Sequence, residues 1–127
     1  MNANIHIIPN GIDFDMWNPL RRLKKNHKKV RIGWEGSYGH QADLELALPA
    51  IRAIKKDYPQ VEFVSLGWKP KEVDESHDFV NTQDYPNKLA KLDIDISIAP
   101  LVDSAYNRCK SNLRLIEASA LKIPSIY

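Results

Sequence analysis

The 127 residues are enough for one domain with a sizeable core, and 43% hydrophobic with 27% charged residues is ordinary for a globular protein. No apolar run approaches the roughly 20 residues that a membrane-spanning helix needs, and no basic-then-apolar N-terminus indicates a signal peptide. The single cysteine, Cys109, excludes an internal disulfide and a cysteine-based metal cluster. We therefore expect a cytoplasmic protein without a metal site or cofactor.

Basic residues are concentrated near the N-terminus. The formal net charge is +2, yet residues 21–31 hold seven Lys and Arg and no acidic residue, which leaves 11 basic against 16 acidic residues elsewhere. So short a stretch favours a solvated linker, with contact to anionic lipid at the inner face of a membrane as the alternative. Nucleic-acid binding needs basic groups spread over a surface with aromatic residues among them, so we expect no nucleic-acid partner.

Residues 1–29 are predicted to be a linker segment, with a turn at Asn10-Gly11 and apolar residues for packing at 14–17. From residue 30 onward, strand patterns alternate with helix patterns. The predicted strands cover residues 30–34, 61–66, 79–81, 94–99 and 123–127. The predicted helices cover an apolar stripe from Leu44 to Ile54, with a kink or a missing backbone bond expected at Pro49, and residues 86–92 and 111–121.

This alternation predicts an α/β, Rossmann-like fold over residues 30–127, with a parallel sheet and helices on both faces. Right-handed crossovers give the strand order 3-2-1-4-5. The winding reverses between strands one and four, so loops 35–40 and 101–110 are predicted to be neighbours in space. The edge strand without a following helix, and the unpartnered N-terminal piece, predict that both ends are cut from a longer chain.

The most informative stretch is the predicted helix start at residues 110–112. Free N–H groups and the helix dipole favour phosphate there. Lys110, Arg114 and Glu117 follow the spacing i, i+4, i+7 and are predicted to share one helix face. That face is either a solvent-exposed ion-pair ladder or a site in which Lys110 contacts a phosphate and Glu117 a ribose diol.

Other candidates come from the loop after the first strand. Glycines at 33, 36 and 39 indicate either a backbone that a ligand can approach closely or a plain turn. Ser37 and His40 are expected either to donate hydrogen bonds to a phosphate or to cap the next helix. Glu35 lies at the end of a strand, but isolated loop acids are seldom catalytic bases. Cys109 is expected to be a small buried side chain.

Four segments, in this order, resemble the C-terminal half of GT-B glycosyltransferases, particularly family 4. They are IPNGID at 8–13 (the linker between the halves), RIGWEGS at 31–37 with its following helix, IDISIAP at 94–100, and NRCKSNLRLIE at 107–117, which resembles the family's E-x7-E region. The resemblance covers nearly the whole chain. It implies one half of a GT-B architecture, a hexosyltransferase type of enzyme, and a missing N-terminal half.

The resemblance also implies where a nucleotide-diphosphate-sugar donor binds, without a required metal. Backbone amides at residues 111–113 would contact the diphosphate, Glu117 would hold the ribose, and residues 36–40 would face the distal phosphate. The base would lie near residues 67–68 and 80–83. The implied donor-binding residues are Gly36, Ser37, Tyr38, His40, Lys110, Ser111, Asn112, Leu113 and Glu117.

Two departures from the family pattern concern catalysis. Cys109 stands where the first glutamate of E-x7-E is expected, and Gly39 and His40 stand where a basic pair is usual, a loss that Lys110 compensates. No catalytic residue is assigned, and the acceptor site of such enzymes belongs largely to the other half. We therefore expect the isolated chain to be inactive. The alternatives are half of a nucleotide-sugar epimerase, or a non-catalytic α/β binding or interaction module.

Overall fold

A computed structural model describes residues 4–20, 22 and 28–127 of the chain. Within these residues the strands are β1 (Val30–Gly36), β2 (Val61–Gly67), β3 (Glu75–His77), β4 (Ile96–Ile98) and β5 (Ser125–Ile126). The helices are α1 (Phe14–Trp17), α2 (Gln41–Glu45), α3 (Leu48–Asp57), α4 (Tyr85–Lys91), α5 (Ala105–Arg108) and α6 (Leu113–Ala120). A 3₁₀ turn, Tyr38–His40, precedes α2.

All five strands pair in parallel, in the order β3-β2-β1-β4-β5, which confirms the predicted Rossmann-like sheet. β1 is central: it pairs with β2 along its whole length and with β4 at Ile32 and Gly33. The chain winds one way from β1 to β3 and the other way from β4 to β5. The carboxyl ends of β1 and β4 therefore border a crevice at the switch point.

The sheet buries an apolar layer on each face. One layer packs with α2 and α3 and contains Ile32, Trp34, Phe63, Leu44, Leu48 and Ile51. The other packs with α1, α4 and α6 and contains Trp17, Leu66, Leu89, Ala90, Leu92, Ile94, Ala118, Leu121 and Ile123. Side chains alternate between the two faces along a strand, so Glu35 of β1 lies on the face opposite that of Trp34. Glu35 therefore faces α6.

The predicted third strand at residues 79–81 is wrong. β3 lies at Glu75–His77, which is a stretch without a predicted strand. An edge strand needs no apolar pattern when its polar side chains have partners: Glu75 accepts from Arg31 at 2.8 Å, and His77 lies 3.0 Å from the Nζ atom of Lys88. Phe79 packs instead against Gly67, whose Cβ position would lie 2.4 Å from the Phe79 ring.

The helix is interrupted just before Pro49, where a kink or a missing backbone bond was expected. The stripe of residues 44–54 forms two helices, α2 and α3, and Pro49 lies in the first turn of α3. Proline is favourable there because its missing N–H would have no partner within the helix.

The predicted helix 111–121 begins later than expected, at Leu113. A short helix that the sequence did not predict, α5, precedes it, and the Oγ atom of Ser104 caps this helix by accepting from Asn107 N–H at 3.1 Å. Lys110 and Ser111 therefore lie in the connection between α5 and α6 rather than in a first helical turn. The prediction that Lys110 shares a helix face with Arg114 is therefore wrong, because Lys110 lies outside α6.

Much of the basic stretch 21–31 lies outside the described residues. Of its described members, Arg22 lies 3.3 Å from Asp95, and Arg31 pairs with Glu62 and Glu75 at 2.8 Å each. Both side chains contact acidic groups near the edge where the strands begin, and Arg31 lies in β1, within the predicted strand 30–34. No helix within the described ranges is long and apolar enough to cross a membrane.

Gly36 permits the packing of Trp34, which is fully buried. A Cβ atom at Gly36 would lie 2.3 Å from the indole ring, so Gly36→Ala is expected to lower the free energy of unfolding by about 1–3 kcal/mol. Urea denaturation measures the change. Gly39→Ala is the matched control, because its Cβ would meet only Ser37 Oγ at 3.7 Å. Equal stability of the two variants would contradict this explanation.

Candidate functional site

A cleft of about 210 Å³ lies at the carboxyl ends of β1 and β4, where the two predicted loops meet. The Nζ atom of Lys110 lies 3.2 Å from Nδ1 of His40, although the two residues are 70 positions apart. The lining residues are His40, Ala99, Leu101, Lys110, Ser111, Leu113, Arg114 and Tyr127. The switch point of the sheet therefore holds a cleft with two cationic side chains and an imidazole.

The cations reach the cleft from different elements. Lys110 precedes α6, with its Nζ atom 4.6 Å from the centre of the Tyr106 ring. Arg114 lies in the first turn of α6, with its guanidinium 6.0 Å from the Trp34 ring, and its buried Nη1 atom has no hydrogen-bond partner among the described residues. A buried guanidinium donor without a partner is unfavourable, and an anionic ligand would satisfy it.

The start of α6 contributes backbone donors to the same cleft. Asn112 is the N-cap residue, and its side chain makes no capping hydrogen bond. The N–H groups of the first helical turn have no partners within the helix, so they are available to an anion. The neighbouring Ser111 side chain accepts a hydrogen bond from Asn10 at 2.7 Å, which connects the N-terminal segment to this loop.

Glu117 lies one turn further along α6, outside the cleft lining. Its carboxylate accepts a hydrogen bond from the Tyr85 hydroxyl at 3.3 Å. Burial raises the pKa of Glu117, while the Tyr85 hydroxyl and the charge of Arg114 act in the opposite direction. The carboxylate is thus half-buried beside a cation, and one Tyr85 contact leaves acceptor positions for a ligand.

The structure brings some of the predicted site residues together and leaves others apart. His40, Lys110, Ser111 and Leu113 line the cleft. Gly36 ends β1 beneath the Trp34 ring. The remaining predicted residues lie outside the lining: Ser37 and Tyr38 in the exposed turn after β1, Asn112 at the N-cap, and Glu117 within α6.

Glu35 is an ionisable group whose burial the sequence did not predict. It is only 4% exposed, and its Oε2 atom has no hydrogen-bond partner in the described part of the chain. Burial raises its pKa to about 8, with Arg114 opposing and Glu117 adding to the shift. The alternation of Glu35 with Trp34 was the available sequence signal. The predicted strand ended at Trp34, directly before Glu35, so the prediction placed Glu35 in a loop.

Cys109 is exposed, so the prediction of a buried side chain is wrong. It is the C-cap residue of α5 and directly precedes Lys110. Its thiol is therefore accessible beside the cleft loop.

The described residues contain no group of three or more His, Cys, Asp or Glu side chains that could hold a metal ion. The chain is thus a Rossmann-like α/β domain with a cationic cleft at its switch point. No protein-family model matches the sequence. A search of curated proteins finds no match either.

The burial of Glu35 predicts a pH-dependent stability. Because its pKa rises from 4.5 to about 8 on folding, the folded chain binds this proton more tightly, and stability falls as pH rises between these values. Glu35→Gln is expected to exceed the wild type in stability by about 2–4 kcal/mol near pH 9, and to match it near pH 4. Urea denaturation at both pH values measures the difference.

Glu45→Gln is the matched control, because Glu45 is exposed on α2. Its stability relative to the wild type is expected to change little between the two pH values. A Glu35→Gln effect of the same size at both pH values would contradict the assignment.

Proposed function

We propose that the chain is the donor-binding domain of a GT-B glycosyltransferase, which binds a nucleotide-diphosphate-sugar and in full-length form transfers its glycosyl group. The observation that carries this proposal is the convergence of His40, Lys110 and Arg114 with the start of α6 in one cleft. The order of the four resembling segments supports the same proposal. The cleft lies where ligands bind in open parallel sheets.

The electrostatics of the cleft suit a diphosphate. When a glycosyl group leaves a nucleotide sugar, negative charge develops on the departing nucleoside diphosphate. Fixed cations and N–H groups stabilise that charge because they need no reorganisation during the reaction. Lys110 and Arg114 supply two positive charges and the first turn of α6 supplies amides, so the proposal requires no metal ion.

Glu117 is proposed to bind the ribose of the donor. It lies one turn beyond Arg114 on α6, so a nucleotide with its phosphates at the helix start would extend towards it. A carboxylate can accept two hydrogen bonds from a cis-diol. Among the described residues, the Glu117 carboxylate accepts one side-chain hydrogen bond, from the Tyr85 hydroxyl at 3.3 Å. The base would then lie towards the end of β2, where Phe79 packs against Gly67.

A second candidate is a binding module of the same fold without catalytic activity. Cys109 favours it, because the resemblance places a glutamate at this position and the structure has an exposed thiol there. Both candidates bind the nucleotide. Glycosyl transfer by the full-length protein, measured with the donor selected by binding, distinguishes them.

Calorimetric titration with a panel of nucleoside diphosphates tests the proposed site. One nucleotide is expected to bind, and Lys110→Ala and Glu117→Ala are each expected to weaken it by about 1.5–3 kcal/mol, roughly tenfold or more. The loss follows from removing one charge-assisted contact in each case.

Lys91→Ala and Asp57→Ala are the charge-matched controls. Both residues are exposed near the ends of helices that precede strands, so they lie towards the opposite edge of the sheet. They are expected to leave the affinity unchanged. Equal weakening by the controls, or no nucleotide binding at millimolar concentration, would contradict the proposed function.

A further inference from the structure

Asp43 contacts both loops that form the cleft, although it is not part of the cleft lining. It belongs to α2 and is only 5% exposed. Its Oδ1 atom accepts hydrogen bonds from Val102 N–H at 2.9 Å and from Asn107 Nδ2 at 2.7 Å. Its Oδ2 atom lies 2.9 Å from Nδ1 of His40 and 3.7 Å from Nζ of Lys110. One oxygen thus binds the loop after β4, and the other faces the basic side chains of the cleft.

The loop after β4, residues 101–110, is attached to the rest of the described chain at this one place. Its hydrogen bonds and ion pairs to other described segments all end on Asp43 or on His40. Its remaining hydrogen bonds are internal, such as those from Arg108 to Asp103 at 2.7 and 2.8 Å. Because His40 is itself bound to Asp43, the polar attachment of the whole loop depends on one carboxylate.

The donors around Asp43 keep this buried carboxylate ionised. Burial alone would raise the pKa of Asp43, but hydrogen bonds from His40 and from the two loop donors, with the charge of Lys110, lower that pKa to about 2. A carboxylate only accepts hydrogen bonds, so Nδ1 of His40 carries the proton in their contact. Hydrogen bonds to an ionised acceptor are stronger than those between neutral groups, which makes the attachment of the loop a firm one.

We propose that Asp43 is the positioning residue of the cleft: through Oδ1 it holds the loop after β4 in the place from which Lys110 and the start of α6 bind an oxyanion. Asp43 acts on the ligand only through the position of this loop. The inference rests on the proposed function, in which the oxyanion is the diphosphate of the donor.

The charge of Asp43 and its hydrogen bonds act on anion binding in opposite directions. A negative charge 3.7 Å from Nζ of Lys110 reduces the attraction of this lysine for an anion. The hydrogen bonds on Oδ1 favour binding, because a loop that leaves its position lowers the fraction of molecules with a complete cleft. The apparent affinity falls by the same fraction. Two substitutions at Asp43 separate these effects.

Asp43→Asn removes the charge but keeps an oxygen for the Val102 and Asn107 donors, and its amide group faces His40, whose neutral ring can accept this hydrogen bond in its other tautomer. Asp43→Ala removes both the charge and the acceptor. In calorimetric titration with inorganic pyrophosphate, Asp43→Asn is expected to bind at least as tightly as the wild type. Asp43→Ala is expected to bind about tenfold more weakly, or less tightly still.

Two further measurements distinguish positioning from a purely structural role. Both variants lose charge-assisted hydrogen bonds, so both are expected to unfold at lower urea concentrations than the wild type. Amide hydrogen exchange at Val102 is expected to stay slow in Asp43→Asn and to become fast in Asp43→Ala. A side chain that only stabilised the fold would lower the stability of both variants without separating their affinities.

Asp74→Ala is the matched control. The Asp74 carboxylate accepts hydrogen bonds from Phe63 N–H at 2.8 Å and from Nζ of Lys55 at 2.7 Å, so it combines a backbone donor with a lysine as Asp43 does. It directly precedes β3, at the edge of the sheet that is separated from β4 by β2 and β1. Asp74→Ala is expected to lower stability and to leave the affinity for pyrophosphate unchanged.

Asn107→Ala tests the same attachment even where circular dichroism shows that Asp43→Ala fails to fold. It removes one hydrogen bond on Oδ1 and the bond from Asn107 Nδ2 to the Val102 carbonyl at 2.9 Å, but keeps the charge of Asp43. It is expected to weaken pyrophosphate binding. Wild-type affinity in Asn107→Ala, or an Asp43→Asn variant that binds as weakly as Asp43→Ala, would overturn the inference.

The outcomes also separate this inference from the proposed function. Binding of pyrophosphate or a nucleoside diphosphate with equal affinity in Asp43→Asn and Asp43→Ala would overturn the inference alone. No binding of either ligand by the wild type would overturn both, even if hydrogen exchange at Val102 showed that Asp43 holds the loop.

Discussion

The pairing of β1 with β2 on one side and β4 on the other is the constraint on which the site depends. Right-handed crossovers allow β1 to have neighbours on both sides only if the chain reverses its winding after β3. That reversal brings the loop with His40 against the loop with Lys110. The Trp34 ring packs directly against Gly36, and this contact fixes the end of β1 at the border of the cleft.

The buried charges at the cleft edge of the sheet are only partly paired. Glu35 and Arg114 each have a buried polar atom without a hydrogen-bond partner among the described residues, whereas Asp43 is surrounded by donors. Unsatisfied buried groups cost stability, and proteins retain them where a ligand completes the set. The arrangement therefore fits a site that is preorganised for an anion and is least favourable when no anion is present.

The strand order and the meeting of loops 35–40 and 101–110 could be predicted from sequence, because they follow from alternating patterns and crossover handedness. β3 could not, because the partners of its polar side chains are distant in sequence, as in the hydrogen bond from Arg31 to Glu75. The later start of α6 depends on the Ser104 cap of α5, a local contact within a polar loop. The burial of Glu35 depends on β1 extending to Gly36, and a strand end is the least regular part of its pattern.

The most direct test of the central claim, that the switch-point cleft binds a nucleoside diphosphate, is a titration of the ¹⁵N-labelled chain with these nucleotides, followed by backbone amide NMR shifts. We predict the largest shifts at residues 36–40 and 110–114, which surround the cleft. Saturable shifts confined to other parts of the sheet, or none at millimolar nucleotide, would contradict the claim.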